Sequence, residues 1–198
     1  TAYLELFREA SEVGAGSSGL LVLPYFNGER TPINDPSARG AIIGLSLHHT
    51  RAHVFRAVLE GVAYGIRHNI ETLSDGVGVA ERIVAVGGGT TGDTWLQIVS
   101  DAIGREQEVP RTTLGASYGD AFLAGLAVGI VERGDLKDWA DGSHVVRPTE
   151  TARATYDAGY RQYRELYTAT AGIIHELARG GTTASKGENM ANSPPGLG

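Results

Sequence analysis

The chain has 198 residues, no cysteine, 28 glycines and a formal net charge of −6. That length suits one large domain or one and a half small ones, able to bury roughly 70% of the unfolded surface. The acidic balance argues against a nucleic-acid partner, which needs a basic surface. The lack of cysteine excludes a disulfide framework and thiolate chemistry and fits a reducing cytoplasm. No apolar run approaches the length of a membrane span, and the opening TAYLELFREA is unlike a cleaved signal. The expectation is a soluble, cytoplasmic protein. It opens without an initiator Met, as a piece of something larger would.

Thr1 to Ala10 reads as the end of a helix, followed by the loop GAGSSG. Leu20 to Phe26 is an apolar run of buried-strand length. The turn-rich loop NGERTPINDPSARG leads to a second strand, Ala41 to Leu47. The longest helix follows, with Thr50 as its N-cap and Ser74-Asp75-Gly76 as its end. Val54, Val58, Val62, Ile66, Ile70 and Leu73 form its predicted core-facing stripe. The run RIVAV, Arg82 to Val86, is the third predicted strand. The helix Asp93–Ile103 turns Trp95, Ile98, Val99 and Ala102 inward, with Gly104 as its C′ residue.

A short strand EQEVP precedes the helix SYGDAFLAGLAVGI, whose small residues suit close packing on a sheet. A linker with Trp139 leads to a last helix, Thr151 to Ala178. Its Tyr156, Tyr160, Tyr163, Tyr167, Ile174 and Leu177 recur in a 4-3 rhythm, as in a helix lying on the domain with its hydroxyls at the rim. Residues 179–198 lack apolar content and are expected to be a disordered tail. The alternation of strands and helices indicates an α/β layered domain.

The chemistry centres on GGGTTGD after the third strand. Gly87, Gly89 and Gly92 fit the dinucleotide fingerprint G-x-G-x-x-G, and Glu108 lies about twenty residues on, where a ribose-binding acid belongs. Against that reading, the glycines follow two strands and a long helix, Gly88 adds a third consecutive glycine, and Glu108 sits on a short polar strand ended by Pro110. A tight turn with no ligand is the bland alternative. His49 and His53 have the four-residue spacing of a metal pair, but no third ligand is nearby and no H-E-x-x-H is present, so no metal is expected. Glu29, Arg30, Asn34 and Asp35 crowd one loop, equally readable as a site or as an internal Glu–Arg pair with Asx-turns.

The stretch Gly40 to Glu60, GAIIGLSLHHTRAHVFRAVLE, resembles the C-terminal signature of the FGGY carbohydrate kinases. Gly40, Ile42, Gly44, Leu45, His53, Val54, Ala57, Val58, Leu59 and Glu60 occupy its specified positions. LLVLPYFNGERTPINDPSARG is similar to the segment before that signature in xylulokinase-like members, VGGGTTGDTWLQIVSDAIG to the family's adenosine-binding turn, and GASYGDAFLAGLAVG to its following helix. The resemblance covers about nine-tenths of the chain. It implies an RNase-H-like C-terminal lobe of the actin, hexokinase and chaperone superfamily over residues 1–178, with a mixed sheet flanked by helices.

It further implies that Gly87, Gly88 and Gly89 back the adenine and ribose of ATP, with Gly92 or Asp93 at the rim. Gly92 stands where a serine or asparagine is expected, which leaves a side-chain bond to the nucleotide in doubt there. The catalytic Asp, the phosphate loops, the sugar contacts and most of the Mg²⁺ site would lie outside this chain, so no catalytic residue is assigned within it. Glu60, at mid-helix, would act structurally or behind the site. ATP or ADP is the implied partner, a homodimer is allowed, and neither nucleic acid nor membrane is expected. Two other classes stay open: a Rossmann-type oxidoreductase domain, and a non-catalytic actin-like module assembling through Tyr156 and Tyr163.

Overall fold

A computed structural model describes residues 2–111, 115–139 and 144–191. Helix α1 (Ala2–Glu12) and a left-handed turn at Gly16–Ser18 lead into strand β1 (Leu21–Leu23), which pairs antiparallel with β2 (Ala41–Ile43). Helix α2 (Arg51–Val77) begins after Thr50, the predicted N-cap, and stops at Gly78, just past the predicted Ser74-Asp75-Gly76 end. Helix α3 (Asp93–Ile103) has the predicted bounds and is closed by Gly104 at φ 66°.

Strand β3 (Gln107–Val109), helix α4 (Ala116–Ala127) and the short helix α5 (Leu136–Trp139) follow. Strand β4 (His144–Val146) then pairs antiparallel with β3. The predicted RIVAV strand is reduced to a parallel bridge, Val84 to Glu108, with Ala85 N–H donating to the Glu108 carbonyl at 2.9 Å. β3 therefore has a parallel neighbour on one side and an antiparallel one on the other, which makes the sheet mixed. RIVAV stays short because its Val84 and Val86 are exposed and only its β3 side is paired among the described residues.

The core lies where α2, α3 and helix α6 (Arg153–Ala191) meet β1. Leu23, Tyr64, Ile98, Val99, Tyr156 and Tyr163 are all buried there. Two sequence expectations are corrected. The aliphatic stripe of α2 holds in part: Val54, Val58, Ile66 and Ile70 pack half-buried against the core and Val62 and Leu73 are exposed, while the fully buried face is Ala52, Arg56, Ala57, Glu60, Gly61, Ala63, Tyr64 and His68. Small residues win because they let α2 approach closely. A Cβ at Gly61 would lie 2.4 Å from the Val22 carbonyl oxygen, and one at Gly159 would lie 2.1 Å from the Tyr64 hydroxyl. The tyrosine rhythm of α6 is also interior rather than rim. Tyr156 and Tyr163 are 0% exposed, so neither can face an assembly partner, while Leu177 at the far end is exposed.

Helix α4 likewise buries only Phe122 of its predicted sheet-packing face, leaving Leu123 in solvent. Helix α6 continues past the expected end at Ala178 through Gly180 to Ala191, because no proline interrupts the chain before Pro194. The rest of the expected tail, 192–198, lies outside the described residues.

One buried polar cluster ties these elements together. Glu60 accepts from Arg56 Nε (3.0 Å), the Gly16 backbone N–H (3.0 Å), Ser17 Oγ (2.8 Å) and the Tyr156 hydroxyl (3.1 Å). Arg56 also donates to the Ala10 carbonyl and to the Tyr156 hydroxyl, each at 3.1 Å. Removing one member of a buried ion pair strands the other charge, at about 3–5 kcal/mol. Glu60→Ala should lower the free energy of urea unfolding by about that amount. Gly76→Ala, at a helical site with nothing within 4 Å of the new Cβ, should leave it unchanged or raised.

Candidate functional site

The glycine turn sits at the C-terminal end of the Val84 bridge. Gly87 adopts φ 93° and ψ −174°, a conformation closed to residues with a Cβ except at a cost of about 1–3 kcal/mol. A 3₁₀ turn over Gly88–Thr91 is tied back by the Thr90 N–H (3.1 Å) and Thr90 Oγ1 (2.7 Å), both donating to the Gly87 carbonyl. α3 then starts with Gly92 as its N-cap, in extended conformation and without a side-chain cap. A helix start left uncapped presents backbone N–H groups and the positive end of the helix dipole.

Gly88, Gly89 and Gly92, with Thr94 and Trp95, form one wall of a cavity of about 430 Å³. Tyr3, Leu4 and Phe7 of α1 and Leu59 and Val62 of α2 form the opposite wall. A Cβ on Gly89 would lie 3.0 Å from Trp95 Nε1, so the indole rests directly on glycine backbone. Nothing lies within 4 Å of a Cβ on Gly88. Three of the five predicted residues thus share a surface. Gly87 and Asp93 do not line it, and Asp93 is exposed.

On the other side of the turn, Val84, Val86, Gly115, Tyr118, Phe122 and Trp139 enclose an apolar slot of about 210 Å³. A Cβ on Gly115 would come 3.9 Å from the Gly87 Cα. Local patterning missed the aromatic wall. Tyr3 and Phe7 are one turn apart on α1 and meet Phe55 edge to face, with centroids 5.0, 6.2 and 5.1 Å apart. The four-residue spacing of Tyr3 and Phe7 was the available signal.

The other candidates resolve into structural roles. Glu108 is held by Arg82 Nε at 2.9 Å, and that bond keeps its carboxyl below the usual range, so it is not a free ribose-binding acid. His49 Nδ1 accepts from the Ser46 N–H at 2.9 Å and His53 Nδ1 from the Thr50 N–H at 3.3 Å, which turns both rings to the backbone. No group of three residues able to hold a metal occurs among the described residues.

In the polar loop, Glu29 accepts from the Thr31 N–H and the Asn34 N–H caps back onto the Arg30 carbonyl. Asp35 makes an Asx-turn to the Ser37 N–H (2.9 Å) and binds His175 Nε2 (2.6 Å) and the Tyr167 hydroxyl (2.9 Å) of α6. Burial opposes ionisation of Asp35, but the bonds from His175, Tyr167 and Ser37 outweigh it and hold the carboxyl below its ordinary value.

The C-terminal domain model of the FGGY family of carbohydrate kinases matches residues 3–128, and the chain belongs to that family. It is 30% identical over 182 residues to a xylulose kinase of Lactococcus lactis, covering 89% of this chain and 36% of that protein. It is 33% identical over 156 residues to a gluconokinase of Bacillus subtilis, covering 78% and 30%. The crystal structure of xylulose kinase from Rhodospirillum rubrum superposes with a TM-score of 0.75 at 34% identity, over 88% of this chain and 35% of that one. The chain therefore spans about a third of the relatives it matches. No described helix is long and apolar enough to cross a membrane.

Gly87→Ala should lower the unfolding free energy by about 1–3 kcal/mol in a denaturant titration, through its backbone conformation alone. For Asp35 the folded carboxyl titrates below the unfolded one. Its contribution to stability is therefore present at neutral pH and lost as the pH falls below the ordinary carboxylate range, through the lowered folded value. Asp35→Asn should be less stable at neutral pH, and its stability should fall less steeply below about pH 5 than that of the unaltered chain.

Proposed function

We propose that this chain supplies the adenosine-binding lobe of an ATP-dependent sugar or polyol kinase, with D-xylulose to D-xylulose 5-phosphate as the reaction. The observation that carries the reading is the side-chain-free wall of Gly88, Gly89 and Gly92 beside the uncapped start of α3. A flat base needs close backbone approach, and glycine permits it. The first N–H groups of α3 are placed to meet the anionic side of a nucleotide. Membership of the FGGY family and the likeness to xylulose kinases support the phosphotransferase class and the choice of sugar.

The residues present fit an adenosine, since the wall has room for a ring beside Gly88, and the indole edge of Trp95 lies against Gly89. ATP with Mg²⁺ supplies the phosphoryl group and neutralises its charge during transfer to a sugar hydroxyl. Within this chain the work is binding and orientation. Gly88 and Gly89 hold the base side, α3 orients the nucleotide by its N-terminus, and Tyr3, Phe7 and Leu59 offer an apolar far wall. The hydroxyl proton would go to an aspartate outside this chain.

Calorimetric titration with ATP, ADP and NAD tests this. ATP and ADP should bind and NAD should bind more weakly; tighter binding of NAD than of ADP overturns the assignment. Gly88→Ala, which meets no neighbouring atom, should leave the melting temperature unchanged and weaken ADP binding. With xylulose and ATP, the chain alone should release no ADP.

A further inference from the structure

A larger cavity, of about 710 Å³, opens further along α2, between α6 and the loop at Pro32–Ile33. It shares no lining residue with the glycine-turn cavity. Its volume lies in the range of small-molecule sites, about 300–1,000 Å³. One wall is aromatic and apolar. Tyr25 and Tyr167 meet edge to face with centroids 5.8 Å apart, beside Ile33.

The lining also carries polar groups of a defined kind, from α2 and from α6 itself. His68 is 7% exposed, and its Nδ1 has no hydrogen-bond partner among the described residues. Burial first, and then the charge of Arg164, hold that imidazole neutral by pushing its pKa down. An unpaired nitrogen in a buried ring is costly to maintain, and that atom is closed off from solvent, so the ring contributes to the cavity as a neutral, rigid wall. Arg164 also lines the cavity. It donates to the Tyr160 hydroxyl at 3.1 Å, and its charge acts on Tyr25 as well as on His68. Of its five N–H donors this bond uses one, which leaves the planar guanidinium suited to a two-point contact with an acid. Glu165, the next residue round α6, borders the same cavity and opposes an anion from the side.

We propose that this cavity binds a small aromatic anion, its ring against Tyr25, Tyr167 and Ile33 and its acid group on Arg164, with the neutral ring of His68 closing one side. α2 supplies a wall to this site through His68 and Thr72 and a wall to the glycine-turn cavity through Leu59 and Val62. The two sites are separate stretches of one helix.

Phenyl phosphate titrated into the full ¹⁵N-labelled chain is the test, with inorganic phosphate and benzyl alcohol as its two halves. The amide signals of Ile33, His68, Thr72 and Thr168 should move together and saturate with phenyl phosphate. The midpoint should lie at least about tenfold below that of either half alone. Arg164→Gln should weaken binding about tenfold, Arg164→Lys should weaken it less, and Glu165→Gln should tighten it. Saturating shifts confined to residues 88–95 would assign the probe to the glycine turn and overturn the proposal. So would weaker binding by Glu165→Gln, which would mark the site as one for cations. Glu165→Gln decides the matter even if Arg164→Gln unfolds through its lost contact with Tyr160.

Discussion

The buried carboxylate of Glu60 is the point to which the rest of the chain is tied. It receives donors from its own helix, from the left-handed turn before β1 and from α6, while its partner Arg56 reaches the end of α1. Two charges taken out of water need hydrogen-bond partners, and here Ala10, Gly16, Ser17 and Tyr156 supply them from outside α2. The turn at Gly16–Gly19 has positive φ at four consecutive residues, two of them serines. Such a backbone persists only where surroundings fix it, and the Gly16 N–H and Ser17 hydroxyl are the two groups that Glu60 fixes. The cluster contributes orientation more than net stability, because an apolar replacement of the same shape could bury as much surface.

That cluster also marks the limit of local sequence reading. Boundaries set by backbone chemistry were legible: Thr50 before α2, Gly104 after α3 and the glycine turn between them. The core face of α2 was legible only in part: Val54, Val58, Ile66 and Ile70 do pack against the core, but its fully buried members were missed. Arg56 drew no expectation, Glu60 took a structural role only through the family resemblance, and the aliphatic residues beside them read as the buried stripe. Which face turns inward was decided by Tyr156, a hundred residues away, and by the absence of a Cβ at Gly61 and Gly159. Hydrophobic periodicity weighs side chains one at a time and cannot register a distant partner that satisfies a charge.

The candidate site was half legible for a related reason. Glycines announce close backbone approach, so Gly88, Gly89 and Gly92 could be named from sequence, and they do share a wall. Family resemblance favoured a nucleotide turn of the kinase kind over a dinucleotide fingerprint, and the Arg82–Glu108 pair occupies the acid that the fingerprint would need. The facing wall comes from α1 and α2, which no turn motif could foretell. RIVAV was overread as a full strand because its composition is that of an interior strand, whereas its pairing is one-sided here.

The Arg56–Tyr156 bond has a kinetic side as well. It joins residues 100 apart in sequence, and the Tyr160–Glu71 and Tyr167–Asp35 bonds span 89 and 132. Closing such loops is paid for in chain entropy before the contacts form. During synthesis from the N-terminus, α1, α2 and both strands of the first sheet emerge with Arg56 and Glu60 lacking their third partner. The chain cannot complete its core until α6 has left the ribosome. Until then the small-residue face of α2 is open, and a chaperone that covers it would meet the chain at its most vulnerable stage.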